Sequence, residues 1–194
     1  GAFTESELLR DFVFASTGTG MWEAALTNTL APGDRVLAVR FGQFSHLFID
    51  TAERLGFKVD VIDLEWGEAV DPARIAEALE ADAAHAIKAV LLVHNETATG
   101  VTNDVAGVRE AIDEARHPAL LLVDGVSSIG SLDFRFDEWG VDVTVGGSQK
   151  GLMLPPGLSF NALSDKALAA ARAAKLPRSY WDWEEMLGPT GKGL

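Results

Sequence analysis

In GGSQKG (146–151), a lysine follows the apolar alternating run VDVTV (141–145). Asp124 ends the apolar run ALLLV (119–123), with Gly125 beside it. Ser16-Thr17-Gly18-Thr19-Gly20 follows FVFA (12–15) and opens a stretch of helical spacing. NETATG (95–100) follows VLLVH (90–94) with a row of polar groups. Taken singly, each has a plain structural explanation. Lys150 snorkels to solvent, Asp124 caps a helix or makes a surface ion pair, and 16–20 is a tight turn with a threonine cap. Taken together they form a set. A helix N-terminus with small residues receives an anion on its backbone N–H groups. A carboxylate fixes a cationic group. A desolvated lysine becomes a nucleophile toward carbonyls.

A phosphate site, a carboxylate and a lysine together suit pyridoxal 5′-phosphate, which carries a phosphate, a pyridine nitrogen that works best protonated, and an aldehyde. Other nucleotide or metal chemistry is disfavoured. Gly18-x-Gly20 lacks the third glycine of a dinucleotide fingerprint, Glu23 standing in its place, and Arg40 rather than an acid ends the second strand. No Gly-Lys-Ser/Thr follows to make a P-loop. His94 has no second histidine at ligand spacing, so no metal site is expected.

These residues have to be carried by regular elements. FVFAS (12–16), RVLAVR (35–40), KVDVIDL (58–64), AIKAVLLVHN (86–95), ALLLVDG (119–125), VDVTVGGSQ (141–149) and LSFNALS (158–164) are expected strands. Helices are expected over 20–30, 44–56, 71–84, 104–116 and 165–175, with Asp71 as N-cap and Pro72 at the first position of the third. Thr4-Glu5-Ser6-Glu7 fits a capping box opening a short helix. Alternation of strands and helices predicts an α/β fold: a mixed, mostly parallel seven-stranded-type sheet with helices on both faces. LSFNALS follows the previous strand across a short Pro-Pro-Gly loop, so it is expected antiparallel. In such sheets ligands sit beyond the carboxyl ends of the strands, where all four polar segments fall.

The 194 residues are 47% hydrophobic, enough for a sizeable core. A formal charge of −13 argues against nucleic acid and against anionic membranes. There is no cysteine, which removes disulfides, thiolate metal sites and cysteine nucleophiles. No apolar run reaches the length of a membrane span, about 18 residues, and the acidic start GAFTESELLRDF is unlike a signal peptide. A soluble, cytoplasmic protein is the expectation.

STGTGMWEAALTNTL, FGQFSHLFID, HNETATGV, LLLVDGVSSIGS and above all GSQKGLMLPPG resemble the class V aminotransferases of fold type I. The resemblance covers nearly all of residues 12–187. It implies that Lys150 is the Schiff-base lysine and that Asp124 partners the pyridine nitrogen. It implies that Thr17, Gly18 and Thr19 form the phosphate turn, with Gln149 reaching the phosphate region. Thr97 is then a hydroxyl near the 3-oxygen, Val126 the apolar contact under the ring, and Phe44 the aromatic stacked on it, where relatives often carry tryptophan. Phe41 is a weaker candidate for that stacking.

The activity implied is transfer of an amino group from serine or alanine to glyoxylate, giving hydroxypyruvate or pyruvate and glycine. The substrates are small amino acids and 2-oxo acids, and the full-length protein is expected to be a homodimer. Members of the family are longer, with an N-terminal arm and a C-terminal small domain that supplies an arginine for the substrate carboxylate. Residues 1–194 are therefore expected to be the cofactor-binding core of the large domain, and to transaminate poorly alone. Sister lyases, aspartate–glyoxylate transaminases and desulfurases share the fold, but desulfurases need a mobile cysteine. A core that folds or associates without catalysis is the remaining alternative.

Overall fold

Aliphatic runs such as LLLVD have every side chain buried, which happens when a strand is covered on both faces. The computed structural model describes residues 11–187, so the capping box at Thr4 to Glu7 lies outside the described residues. Its strands are β1 (Asp11–Ala15), β2 (Arg35–Arg40), β3 (Lys58–Asp63), β4 (Ile87–Val93), β5 (Asn95–Glu96), β6 (Val101–Thr102), β7 (Leu120–Asp124), β8 (Val143–Gly147) and β9 (Leu158–Leu163). A seven-stranded sheet has the order β1-β9-β8-β7-β4-β2-β3, and β5 and β6 form a separate small hairpin. The pairs from β8 across to β3 are parallel. β9 runs antiparallel to both β8 and β1, as its short loop predicts. β1 therefore points the same way as β8, and its carboxyl end lies at the same edge of the sheet.

The helices are α1 (Gly18–Thr29), α2 (Gln43–Arg54), α3 (Pro72–Ala81), α4 (Val105–Glu114), α5 (Asp165–Ala173) and α6 (Trp183–Leu187). Asp71 caps α3, accepting from Ala73 N, with Pro72 at the first position. α1 begins two residues earlier than its spacing predicts, because Thr17 takes the N-cap and draws Gly18 and Thr19 into the first turn. α1 packs on β8 and β9 and touches α2 and α5, while α3 and α4 pack on each other. Trp22 of α1 stacks on Phe48 of α2, with ring centroids 5.2 Å apart.

Two buried polar residues fix element ends. Asp142 accepts from Leu121 N (2.9 Å) and Ser164 Oγ (2.8 Å), tying β7 to the start of α5. Asn28 donates from Nδ2 to Ala24 O and Trp181 O and accepts at Oδ1 from Trp183 N, which holds the 181–183 segment on α1. Both satisfy their partners without water, as buried polar groups must.

Candidate functional site

At the carboxyl edge of the sheet a cavity of about 200 Å³ opens between loop ends. The start of α1 lines it with Thr17, Gly18 and Thr19, and Trp22 follows one turn further on. Asp124 and Val126 line it from the end of β7, Gln149 and Lys150 from the turn after β8, and Phe44 from the first turn of α2. The site residues singled out in the sequence thus converge, with the exception of Thr97. Thr97 is exposed in the turn between β5 and β6, directly after Glu96, whose side chain is buried. Phe41, the weaker stacking candidate, is fully buried in the core.

The start of α1 is built for an anion. Its first-turn N–H groups have no intrahelical acceptor, and Thr17 Oγ1 takes only that of Gly20, at 3.3 Å. The other long helices carry a carboxylate at this end: Glu96 on α2, Asp71 on α3, Asp104 on α4 and Asp165 on α5. Among the described residues α1 is the one long helix without such an acid, so its positive end remains available. The turn is also closely packed. A Cβ on Gly18 would stand 2.7 Å from Val126 Cγ2, and one on Gly20 would stand 2.2 Å from Ser16 Oγ.

Asp124 is buried at the cavity wall. Oδ1 accepts from Val126 N (2.8 Å) and Oδ2 from Trp22 Nε1 (3.0 Å). Burial pushes its pKa up to about 6, against the two hydrogen bonds and the nearby Lys150 charge, which pull it down; the Glu96 charge adds to the rise. A carboxylate has about four acceptor positions, so room remains for a further donor, and a cation there would restore full ionisation. Trp22 was not identifiable in the sequence, since it lies 102 residues from Asp124 and in an ordinary helical pattern.

Lys150 is exposed, which corrects the expectation of a desolvated amine. β8 ends at Gly147, short of the strand expected over 141–149, and Lys150 sits on the turn beyond it. The backbone of that turn is firmly held. Met153 N donates to Lys150 O (2.9 Å), Leu154 N to Ser148 O (3.0 Å), and Ser148 Oγ to Pro155 O (2.6 Å). Gly151 lies flat on the 129–130 backbone, where a Cβ would fall 2.2 Å from Ile129 O. The result is an exposed amine on a fixed base.

A second cavity, of about 250 Å³, lies among Asp34, Lys88, Leu120 and α5. Its polar groups are engaged: Lys166 Nζ with Ala119 O (2.7 Å), Lys88 Nζ with His85 O (2.8 Å), Asp34 Oδ2 with Ala31 N (2.7 Å). The smaller cavity is the one with reactive groups at hand. His94 is buried edge-on to Trp139 (centroids 5.7 Å apart), and burial lowers its pKa. Among the described residues no cluster of histidine and acids could hold a metal, and no helix is long and apolar enough to cross a membrane.

A profile of the aminotransferase class-V family matches residues 4–179. The chain is 60% identical over 187 residues to a serine–glyoxylate aminotransferase of Methylorubrum extorquens, covering 93% of this chain and 46% of that protein. It is 59% identical over 175 residues to an L-aspartate–glyoxylate aminotransferase of Paracoccus denitrificans, covering 90% and 44%. The solved structure of an alanine–glyoxylate aminotransferase from Nostoc superposes with a TM-score of 0.83 at 33% identity, covering 97% and 51%. The chain therefore spans about half the length of the curated relatives it matches.

Proposed function

The chain belongs to the class-V aminotransferase family, and from that premise we propose that its cavity holds pyridoxal 5′-phosphate and serves transfer of an amino group from serine or alanine to glyoxylate. The observation that carries this reading is the meeting, in one cavity, of an acid-free helix start, a buried carboxylate and a lysine amine. The residues fit the group. The α1 turn is open to a phosphate, Asp124 keeps acceptor capacity for a ring N–H, Phe44 and Val126 offer apolar faces to a ring, and Lys150 reaches from the rim toward an aldehyde.

When bound, pyridoxal phosphate would supply an electron sink and carry the amino group from the amino acid to the 2-oxo acid. The chain's own groups do the remainder. The N–H groups of Gly18 and Thr19 and the Thr17 and Thr19 hydroxyls anchor the phosphate end. Asp124, kept ionised by a cation beside it, favours a protonated ring nitrogen, and Trp22 keeps that carboxylate in place. Lys150 Nζ takes the proton from the α-carbon of the amino donor and returns it, as a general base and then acid on a flexible stem. Relatives of nearly equal identity are named for serine and for aspartate, so the donor is settled by assay.

We also infer a homodimer, supported by the apolar loop beyond Lys150: Leu152, Met153 and Leu154 are exposed, Met153 by 89%, and a second copy would cover them. One experiment tests the whole reading. Purified protein is titrated with pyridoxal phosphate and then given serine, alanine or aspartate. Wild type should turn yellow and be trapped by borohydride, and Lys150→Ala should do neither; a sizing column on the same sample should report two copies. A wild type that stays colourless at saturating cofactor defeats the proposal.

A further inference from the structure

Glu96 has a fully buried side chain, yet the proposed chemistry makes no use of it. Its carboxylate sits on the start of α2. Oε2 accepts from Phe44 N (2.9 Å) and Ser45 N (3.0 Å), and Oε1 accepts from Ala98 N (3.1 Å). These are charge-assisted bonds at the positive end of a twelve-residue helix, the setting in which a buried carboxylate is best compensated. The space it occupies exists because residue 42 is glycine: a Cβ there would fall 2.3 Å from Glu96 Cγ. Gly42 has φ 176°, extended backbone open to any residue, so the carboxylate and not the backbone requires glycine.

The neighbouring Asn95 grips the other side of the cavity. Its Nδ2 donates to Ser127 Oγ (2.9 Å), and Ser127 Oγ donates in turn to Asn95 O (2.9 Å). Ser127 follows Val126, and Phe44 is the residue whose N–H Glu96 holds. Two adjacent residues of β5 thus hold the backbone at or beside two apolar residues of the cavity, Phe44 and Val126, one from each side.

Resting on the cofactor reading above, we propose that Glu96 is a positioning residue, whose buried carboxylate clamps α2 to the β5–β6 hairpin and so sets Phe44 at the distance from Val126 that a flat ring requires. Glu96 touches neither substrate nor cofactor. It acts through the amide of Phe44. The Glu96 charge also bears on Asp124, so its loss should alter the cofactor's spectrum as well as its affinity.

The test compares Glu96→Gln and Gly42→Ala with wild type. Glu96→Gln keeps the shape but sets an NH₂ group against backbone N–H donors. Gly42→Ala leaves the carboxylate chemically intact and displaces it. Each should weaken pyridoxal phosphate binding, followed by absorbance, by about tenfold, the equivalent of one lost charge-assisted bond, and shift the absorbance band. In a Glu96→Ala background, Gly42→Ala should cost no further affinity, because the Cβ then has room. A melting temperature that falls while affinity and spectrum stay at wild-type values would mean a purely structural role and overturns the proposal.

Hydrogen exchange on cofactor-free wild type needs no variant to fold. The Phe44 and Ser45 amides should exchange as slowly as those in mid-α2. Exchange at the rate of open first-turn amides overturns the clamp, even if the cofactor binds normally. Failure of wild type to bind the cofactor at all overturns instead the reading on which the proposal rests, so the two failures are distinguishable.

Discussion

Asp124 is the residue at which burial and function pull against each other. In the cofactor-free protein its pKa is raised from 3.8 to about 6, chiefly by burial. A group raised in the folded state contributes stability below its unfolded pKa and loses it as pH rises through the folded one. The window here runs from about pH 4 to just above 6. Between pH 5 and pH 7.5 this one carboxyl should therefore reduce folding stability by about 1.4 kcal/mol. Asp124→Asn cannot ionise and should lack that loss, although it gives up one of the bonds from Trp22 Nε1 or Val126 N. Urea unfolding of both cofactor-free proteins at the two pH values checks this, since other titrating groups cancel in the comparison. Parallel pH slopes would remove Asp124 as the destabilising charge. A cation at the ring nitrogen would relieve a cost already present in the cofactor-free protein.

At the scale of elements, the site is held by turns in which backbone meets backbone. Gly151→Ala would force a Cβ to 2.2 Å from Ile129 O and 2.6 Å from Gly130 C, atoms that have no freedom to give. The turn carrying Lys150 must shift, at about 2 kcal/mol of stability, and borohydride trapping should slow by about tenfold for the ~1 Å displacement involved. Gly33→Ala is the control. Its φ is +80° with nothing within 4 Å, so it should cost about 1 kcal/mol in strain while trapping is unchanged. Equal trapping in both variants would show that the Gly151 contact does not aim the lysine.

The same elements explain what could be recognised in the sequence. Uninterrupted runs such as LLLV and AVLLV identify themselves as buried strands, and polar residues directly after them identify the ligand edge. The β5–β6 hairpin has two residues a side, fastened in part by Thr102 Oγ1 on Asn95 Oδ1, and so has no periodicity to detect. α6 is likewise too short for a pattern, and the chain ahead of it is held by Asn28, on another helix. Trp22 and Glu96 leave no signal in the sequence because their roles are defined by partners distant in sequence: Asp124 for one, the α2 amides for the other.

The whole molecule adds an electrostatic constraint that no single residue shows. The chain carries a formal −13, while the proposed cofactor brings a phosphate of roughly −2. Long-range repulsion should therefore slow their encounter, and only the local field of α1 and Lys150 favours the final step. At 0.1 M salt the screening length is about 10 Å, long enough to spare contacts inside the cavity and short enough to hide most of the surface charge. Raising KCl from 20 to 150 mM should thus increase the association rate of pyridoxal phosphate by about twofold, measured by stopped-flow absorbance. Sulfate at matched ionic strength should instead slow it, because a divalent anion competes for the free N–H groups at the start of α1. If chloride and sulfate slow the reaction alike, the approach is steered by a local positive field that outweighs the net charge. The acid-free helix start would then reach into solution as well as into the cavity.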